Sequence, residues 1–393
     1  MKSSKYSILI ISWEYPPVII GGISPHVYEL SRQLQDENTE IHIVTNSAPN
    51  RPVHEIENGV HVHRVTTYEN VHDFLDWVLQ FNLSIVNYVK GLINNGVKFD
   101  IIHAHDWLVG FASLLLKKQL NIPLITTIHA TEYGRNNGLF TPLQMNIHSI
   151  EHDLTEESDH IIVCSSHMKK EVCQIHGIHE SIIRVIPNGV DIESLTMQDP
   201  HSCRREEYAL PQEKIVLFIG RLVKEKGVHI LIESAKEVLD HDSDVKFIIA
   251  GRGPMTAELK TLASDLGSKI MFVGFIEDDK KSHLLKIADV CVFPSLYEPF
   301  GIVAIEAMGS GSPVIVSDVG GLSEIVNHDI NGFKFTPGNV HALTHYLLRV
   351  LHDPALRQTF AEAGRRTVVS RYDWKNISIL TKEVYHMVDA VSI

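Results

Sequence analysis

The sequence predicts an α/β protein with two doubly wound parallel sheets, one in each half of the chain. Short apolar runs recur along the chain, and amphipathic helical patterns separate them. Continuously apolar strands are typical of parallel sheets that helices cover on both faces. Regular alternation of strand and helix is typical of doubly wound domains. A length of 393 residues is also too great for one ordinary core and suits two domains.

The first half of the chain carries five of these apolar runs. Amphipathic segments such as 24–35 and 106–118 lie between them and predict helices. The predicted strands are 7–11, 41–44, 101–103, 124–128 and 161–163. We therefore predict a Rossmann-like N-terminal domain over residues 1–192.

The strand pattern starts again in the second half, which predicts a second domain. The stretch 193–212 is polar, contains two prolines and lacks sustained periodicity, so it predicts a linker. A Rossmann-like C-terminal domain is then predicted over 213–371, facing the first across a crevice at the carboxyl ends of the strands. The predicted strands of this domain are 215–219, 247–250, 270–273, 290–293 and 314–316.

The last segment, 372–393, is predicted as a helix. Ile377, Leu380 and Val384 repeat at near-helical spacing. This pattern alone leaves open which of the two domains the helix packs against.

Composition places the chain among cytoplasmic proteins. A formal net charge of −13 argues against broad attraction to nucleic acid, while it leaves peripheral membrane contact open. No apolar stretch approaches the roughly 20 residues that span a bilayer, and the apolar run near the start is too short for a signal peptide. The four cysteines show no CxxC spacing, which is typical of a reducing compartment.

The most informative stretch, 294–309, follows an apolar strand and opens a helix near Gly301. Backbone N–H groups at a helix start favour a phosphate. Glu306, one or two turns into the helix, is placed to accept hydrogen bonds from a ribose, and Glu298 on the preceding loop to bind sugar hydroxyls. The alternative is an ordinary capping loop with solvated glutamates, which would be the better interpretation if this motif stood alone.

Two cations follow the first strand of the second half. Arg221 ends that strand and Lys226 begins the next helical segment, so both are predicted to point toward the crevice. There they would neutralise a diphosphate and the charge that builds on it as it leaves. A solvated surface turn is the alternative.

Paired glycines, Gly21 and Gly22, follow the first strand of the chain and let the backbone approach a phosphate. Ser24 and Pro25 are predicted as the N-cap and first residue of the next helix. The motif is not GxGxxG, which disfavours a nicotinamide or flavin enzyme.

Histidines raise the question of a metal, because the chain has 24 of them. His129 ends a predicted strand beside a polar loop and is placed to bond a substrate hydroxyl. The pairs His61/His63 and His103/His105 each share one face of a strand, but neither has an evident third ligand, so no metal site is predicted. The string 242–244, Asp-Ser-Asp, lies between a helix and a strand and is predicted as a turn.

Taken together, these motifs resemble the family 4 retaining glycosyltransferases, which have the two-domain glycosyltransferase B fold. The resemblance covers nearly the whole chain. The opening segment 13–17 followed by Gly21-Gly22 resembles the bacterial and archaeal glycogen-synthase branch, although Ile19 stands where that branch carries a lysine. The matching pieces are Gly21-Gly22, His129, 187–191, Gly220-Arg221, Lys226-Gly227, Glu298–Glu306 and Tyr372-Asp373-Trp374.

The resemblance implies a function and a role for each position. The enzyme would transfer a hexosyl unit from a UDP- or ADP-linked sugar to a sugar or glycan acceptor, with retention, without metal or cofactor and without a nucleophilic side chain. The first domain would bind the acceptor and the second the nucleotide sugar, and the terminal helix would cross back onto the first domain. Diphosphate ligands would be Arg221, Lys226 and backbone at Gly22, Phe300, Gly301 and Ile302; Glu306 would bind the ribose, and Glu298 and His129 the donor sugar.

Three other classes remain as alternatives. A nucleotide-sugar 2-epimerase on the same fold would use the same diphosphate ligands but need no acceptor. A dinucleotide oxidoreductase is disfavoured by the missing GxGxxG. A non-catalytic sugar-nucleotide binder is disfavoured by the complete set of Arg221, Lys226, Glu298 and Glu306.

Overall fold

The computed structural model describes residues 6–67, 71–196 and 204–389. Internal contacts divide the chain into two units, Met1–Asn188 with Trp374–Ile393, and Gly189–Asp373. The predicted linker 193–212 falls within the span of the second unit, and its residues 197–203 lie outside the described part of the chain. None of the helices in the described ranges is both long and apolar enough to cross a membrane.

The first unit contains one eight-stranded sheet with the order β3-β4-β2-β1-β5-β6-β7-β8. All neighbouring strands pair in parallel except β3 and β4, which are antiparallel. The strands are β1 Tyr6–Ile11, β2 Thr39–Asn46, β3 His54–Glu57, β4 Val60–Val65, β5 Ile101–His105, β6 Leu124–Ile128, β7 His160–Val163 and β8 Ile183–Val185.

The five predicted strands of the first half are confirmed, and β3, β4 and β8 are additional. The first two form a hairpin around Asn58 and Gly59, whose φ angles of 51° and 84° match the two central residues of a type I′ turn. The half-exposed edge strand β3 has no continuous apolar run, so an apolar pattern could not predict it.

In the described part of the chain, six α-helices connect the strands of this sheet, and the first begins differently from the prediction. Gly22, not Ser24, is the N-cap of α1, and it makes no side-chain capping bond. Ser24 lies in the first turn, fully buried. The prediction of Ser24 as N-cap is therefore wrong, because the helix starts at Ile23. The helices are α1 Ile23–Leu34, α2 Phe74–Asn94, α3 Gly110–Leu120, α4 Glu132–Asn136, α5 Pro142–Glu156 and α6 Ser166–His176.

The second unit contains a six-stranded sheet with the order β11-β10-β9-β12-β13-β14, parallel throughout. This is the 3-2-1-4-5-6 order of a doubly wound sheet, and its switch point lies between β9 and β12. The strands are β9 Lys214–Ile219, β10 Val245–Ala250, β11 Ile270–Gly274, β12 Val290–Phe293, β13 Val314–Ser317 and β14 Phe333–Phe335. The helices are α7 Ile192–Thr196, α8 Val228–His241, α9 Thr256–Leu262, α10 Asp278–Ile287, α11 Ile302–Ser310, α12 Leu322–Ile325, α13 Val340–His352 and α14 Pro354–Arg371.

The five predicted strands of this unit are confirmed, and β14 is additional. The string 242–244 lies between α8 and β10, as predicted for a turn, and Asp244 N–H donates to the Asp242 carboxylate over 2.9 Å. Fully buried apolar side chains of the strands, such as Val216 and Phe247, form the core with side chains of α8 and α13. The predicted α/β fold with two parallel sheets is thereby confirmed.

The last helix, α15 Trp374–Asp389, belongs to the first unit. Trp374, Ile377 and Val384 are buried in one cluster with Ile8 and Val27 of that unit. The Tyr385 hydroxyl lies 2.7 Å from His103 Nδ1, deep in the same unit. Ile377 and Val384 of the predicted apolar stripe therefore face the core of the first unit, whereas Leu380 is exposed.

Candidate active site

The switch point of the second sheet is built by two loops, one after β9 and one after β12. They approach closely at Gly227, whose φ is 65° and where a Cβ would collide with the carbonyl oxygen of Pro294. Leu296 N–H also donates to the Glu225 carbonyl over 2.7 Å. Glycine at position 227 therefore lets the two predicted motifs, 220–227 and 294–301, come together.

Lys226 and Glu298 form an ion pair across these two loops. Lys226 Nζ lies 2.6 Å from Glu298 Oε2, and the same oxygen accepts from Ser295 Oγ at 3.1 Å. Both charged side chains are mostly covered, at 21% and 13% exposure, so the pair is screened less than a surface pair. The structure thus joins a predicted phosphate ligand to a predicted sugar ligand.

Arg221 lies on the same loop with a more exposed side chain. Its Nη2 atom is 3.4 Å from Glu225 Oε1, and 52% of the side chain is accessible. An exposed ion pair of this length contributes little to stability. Breaking it so that the guanidinium can bind an anion would therefore cost little free energy. Gly251 packs against Gly220, where a Cβ would collide with the Gly220 carbonyl, and this contact fixes the strand end that carries Arg221.

A cavity of about 510 Å³ lies beside this strand end. It opens at the carboxyl ends of β10 and β11 and has both polar and apolar walls. Its lining residues are Leu222, Gly251, Arg252, Gly253, Thr256, Lys260, Phe272, Val273 and Gly274.

Helix α11 begins at Ile302, as predicted, with Gly301 as its N-cap at φ 113°. The φ of 113° would strain any other residue at this position, and a Cβ there would also lie 2.6 Å from Leu322 Cδ2, which would have to shift. Phe300 is buried against Tyr372, with ring centroids 5.8 Å apart. The backbone at 300–302 is therefore held rigidly at the positive end of the helix dipole.

Glu306 lies in the second turn of α11 with its two oxygens in different situations. Oε1 accepts from Lys281 Nζ at 2.9 Å, whereas Oε2 is buried and has no hydrogen-bond partner among the described residues. Burial by itself would lower the pKa of Lys281, but the carboxylates of Glu306 and Asp278 outweigh it and raise that pKa. Lys281 was not predicted as a site residue from the sequence. Its only indication there is the run of charged residues at the start of α10.

In the first unit, His129 follows β6 in a cluster of imidazoles. Its Nε2 lies 3.1 Å from His105 Nδ1, and its ring meets that of His26 edge to face at 4.8 Å. Burial, assisted by Arg135, lowers the pKa of His129 to about 3, so the ring is neutral at pH 7. The backbone N–H of His129 donates to Asp106 Oδ1 over 2.7 Å.

Elements far apart in sequence support this cluster. His26 Nδ1, on α1, lies 2.8 Å from Asn188 Oδ1, and the His26 ring packs edge to face on Trp374. Burial raises the pKa of the Asp106 carboxyl to about 6, although Arg135 and the N–H groups of His129 and Ala130 lower it. His26 and Asp106 were not predicted as site residues. The His-Ala-His-Asp string that ends β5 was the only visible signal for Asp106, and nothing in the sequence marked His26.

Gly21 and Gly22 lie exposed at the start of α1, in a loop that Glu14 organises. The buried Glu14 carboxylate accepts from Ile20 N–H at 2.6 Å and from Gly21 N–H at 3.2 Å through Oε2. A phosphate at Gly21 would therefore compete with Glu14 for that N–H group. The sequence did not indicate this role of Glu14.

No metal site was predicted because neither histidine pair has an evident third ligand in the sequence. That reason is wrong, because the fold places further histidines beside members of both pairs. Among the described residues, three groups place one ligand atom of each member within 4.8 Å of the others. His42 on β2 is the third residue for the pair His61/His63, and two histidines from other elements join His105. These partners come from neighbouring strands and helices, so spacing along one strand could not reveal them. The groups are His26/His105/His129, His42/His61/His63 and His148/Glu151/His176.

Comparisons with known proteins agree with this architecture. The description Glycosyltransferase Family 4 matches residues 20–194, and Glycosyl transferases group 1 matches 204–367. An uncharacterized glycosyltransferase of Methanocaldococcus jannaschii is 38% identical over 386 residues, covering 96% of this chain and 97% of the relative. The chain belongs to the family 4 glycosyltransferases.

Two further similarities refine this membership. A glycogen synthase of Mycobacterium tuberculosis is 34% identical, over 96% of this chain and 94% of its own, in agreement with the predicted branch. The solved sucrose-phosphate synthase from Thermosynechococcus elongatus has a TM-score of 0.84 at 25% identity, over 98% of this chain and 100% of that one. The glycosyltransferase B fold is confirmed, and these family 4 relatives favour glycosyl transfer over the epimerase alternative.

Proposed function

We propose that this family 4 glycosyltransferase moves a hexosyl unit from a nucleoside-diphosphate sugar to a sugar or glycan acceptor, with retention and without a metal. The observation that carries the proposal is the Lys226–Glu298 pair at the switch point of the second sheet, beside Arg221 and the start of α11. This is the edge at which doubly wound sheets bind their ligands.

The diphosphate would bind to two cations and a helix start. An ammonium group has three donors, so Lys226 can keep Glu298 and still bind a phosphate oxygen. Arg221 would add a guanidinium, and the backbone at Phe300, Gly301 and Ile302 would add N–H groups at the positive end of α11. These fixed groups would stabilise the negative charge that develops on the departing nucleotide, the role that a metal plays in other enzymes.

The nucleoside would be held by Glu306 and the neighbouring cavity. Glu306 Oε1 is fixed by Lys281, while the buried Oε2 lacks a partner in the described residues and would accept from a ribose hydroxyl. The cavity lined by Leu222 and Phe272 is of a size that holds a planar base.

Glu298 and the neutral imidazole of His129 would bind hydroxyls of the donor sugar. In the reaction, the bond between the anomeric carbon and the phosphate oxygen breaks, and a bond to the acceptor oxygen forms on the same face of the sugar. The acceptor proton passes to the leaving phosphate oxygen. No side chain then has to act as a nucleophile.

The acceptor class is supported by the similarity to a glycogen synthase, which favours a glycan. The test is mass spectrometry of products from a panel of UDP-, ADP- and GDP-sugars, each with and without oligosaccharide acceptors. We expect one donor, UDP- or ADP-linked, to lengthen the acceptor by one hexose and release the nucleoside diphosphate. An acceptor that stays unmodified with every donor would contradict the proposal.

A further inference from the structure

Four histidines lie on one face at the β3 edge of the first sheet. They come from three adjacent strands: His42 from β2, His54 from β3, and His61 and His63 from β4. In the strand register, His42 is opposite His61 and His54 is opposite His63. Residues two apart share a face of a strand, so all four imidazoles project from the same side.

The ring nitrogens of this histidine cluster converge. His42 Nδ1 lies 3.0 Å from His63 Nε2, and His54 Nε2 lies 3.3 Å from His61 Nδ1. One nitrogen each from His42, His61 and His63 lies within 4.8 Å of the others. In a tetrahedral zinc site with Zn–N bonds of about 2.05 Å, ligand nitrogens are roughly 3.3 Å apart. The nitrogen spacing is therefore close to what a metal ion would require. The rings of His42, His61 and His63 lie within 21° of parallel, so they would have to rotate for their lone pairs to meet at one ion.

The outer nitrogens have partners of the kind that orient metal-binding histidines. His63 Nδ1 lies 3.1 Å from the Tyr88 hydroxyl, and His61 Nε2 lies 3.4 Å from Glu40 Oε1. Such contacts fix the ring and leave the opposite nitrogen facing the metal. Here the opposite nitrogens, His63 Nε2 and His61 Nδ1, are the ones that face other imidazoles of the cluster.

Burial and access also suit an ion. His42 and His63 are buried. His54 is exposed and His61 half-buried, and they give solvent access to the cluster.

We propose that His42, His61 and His63 form a binding site for a divalent transition metal, with His54 as a fourth imidazole. Nitrogen ligands alone favour zinc, nickel or copper over magnesium or calcium, and zinc is the ion that we test first. The ion would link the β3–β4 hairpin to β2. Strands β1 and β5 separate β2 from β6, which leads to His129, so about 14 Å of sheet lies between. The site therefore acts on the fold, independently of glycosyl transfer.

The test uses the full chain with any affinity tag removed and its metals stripped by EDTA and dialysis. Zinc is titrated by calorimetry, and cobalt is added as a spectroscopic probe of a tetrahedral nitrogen site. We expect at least one ion per chain at roughly micromolar affinity or tighter. His61→Ala should lose one equivalent, with affinity at that site falling at least about 100-fold, because even partners outside the ligand set affect affinity 10–100-fold.

Two further variants make the test specific. His148→Ala removes a histidine from a different cluster and should keep the zinc equivalent that His61→Ala loses. Glu40→Gln alters the contacts of Glu40 Oε1 with His61 Nε2 at 3.4 Å and His42 Nε2 at 3.8 Å, and it should weaken binding about 10- to 100-fold.

Melting curves complete the experiment. Without zinc, His61→Ala should melt close to the wild-type temperature, since its side chain is half-exposed, whereas zinc should raise the melting temperature of the wild type only. Glycosyl transfer by His61→Ala should be unchanged. Absence of zinc binding in the wild type, equal binding by His61→Ala, or loss of the same equivalent in His148→Ala would each overturn the proposal.

Discussion

The two units share a strand order around their switch points but place opposite chemistry at their strand ends. In the second unit the strand-end loops and the helices beside them carry charged groups, the pairs Lys226–Glu298 and Lys281–Glu306 with Arg221 beside them. In the first unit the strand ends carry imidazoles that burial keeps neutral, His105 and His129. The comparison teaches that one architecture can carry charged groups at its strand ends in one unit and uncharged imidazoles in the other; in the proposed function these would bind a diphosphate and sugar hydroxyls.

The largest effect is expected from the cations of the second unit. Arg221→Ala and Lys226→Ala should each lower kcat about 10²–10³-fold, because they remove preorganised charge that matters most when the diphosphate leaves. Donor affinity should change less. Lys224→Ala, an exposed cation in the same loop, is the matched control and should stay near wild type. Near-wild-type kcat in both cation variants would remove the central assignment.

The first unit should be the more acid-sensitive of the two. Buried histidines such as His63, His103 and His129 have pKa values lowered to about 3, below the unfolded value near 6.5. The unfolded state therefore binds more protons between these values, and stability falls as pH drops from about 6.5. Each such histidine should cost roughly 2 kcal/mol between pH 7 and pH 5.

Two carboxyls of the first unit oppose this trend. Burial raises the pKa of Asp106 to about 6 and of Glu151 to about 8, so their contribution falls as pH rises, but the histidines outnumber them. All four tryptophans, Trp13, Trp77, Trp107 and Trp374, lie in the first unit, so tryptophan fluorescence reports its unfolding. We expect its melting temperature to be clearly lower at pH 5 than at pH 7. An unchanged value would contradict the burial of these imidazoles.

A smaller effect is expected at the ribose. Glu306→Gln should raise the donor KM about tenfold with little change in kcat, because ribose hydroxyls change little during transfer. Lys281 would also lose its charged partner, so a melting curve must show that the variant is folded. Lys280→Ala, an exposed lysine on the same helix as Lys281, serves as a surface control. A fall in kcat without a change in KM would place Glu306 elsewhere in the mechanism.

No effect on turnover is expected from metal removal. In the proposed mechanism Arg221 and Lys226 would balance the charge of the diphosphate, so excess EDTA should leave kcat unchanged. EDTA acting on the histidine cluster at the β3 edge should instead lower thermal stability. Loss of turnover that manganese restores would contradict metal-independent transfer.

The sequence predicted most of the fold because buried parallel strands are continuously apolar. All ten predicted strands exist, whereas the four strands that were not predicted, β3, β4, β8 and β14, lack the long apolar runs that reveal a strand. Because these strands could be located in the sequence, residues next to their ends, such as Arg221 and His129, could be predicted as candidate site residues. Contacts between distant elements were not visible, and His26 with Asn188, Lys281 with Glu306 and His42 with His63 exist only because the fold brings them together.

The most direct test of the account is nuclear magnetic resonance of the glycosyl product, recorded as nucleoside diphosphate is released. Retaining transfer assisted by the leaving diphosphate predicts that the new bond has the anomeric configuration of the donor. It also predicts one nucleoside diphosphate per bond formed, and release that depends on the acceptor. An inverted anomer would contradict the mechanism. A donor converted to its epimer without nucleotide release would contradict the assignment of transfer itself.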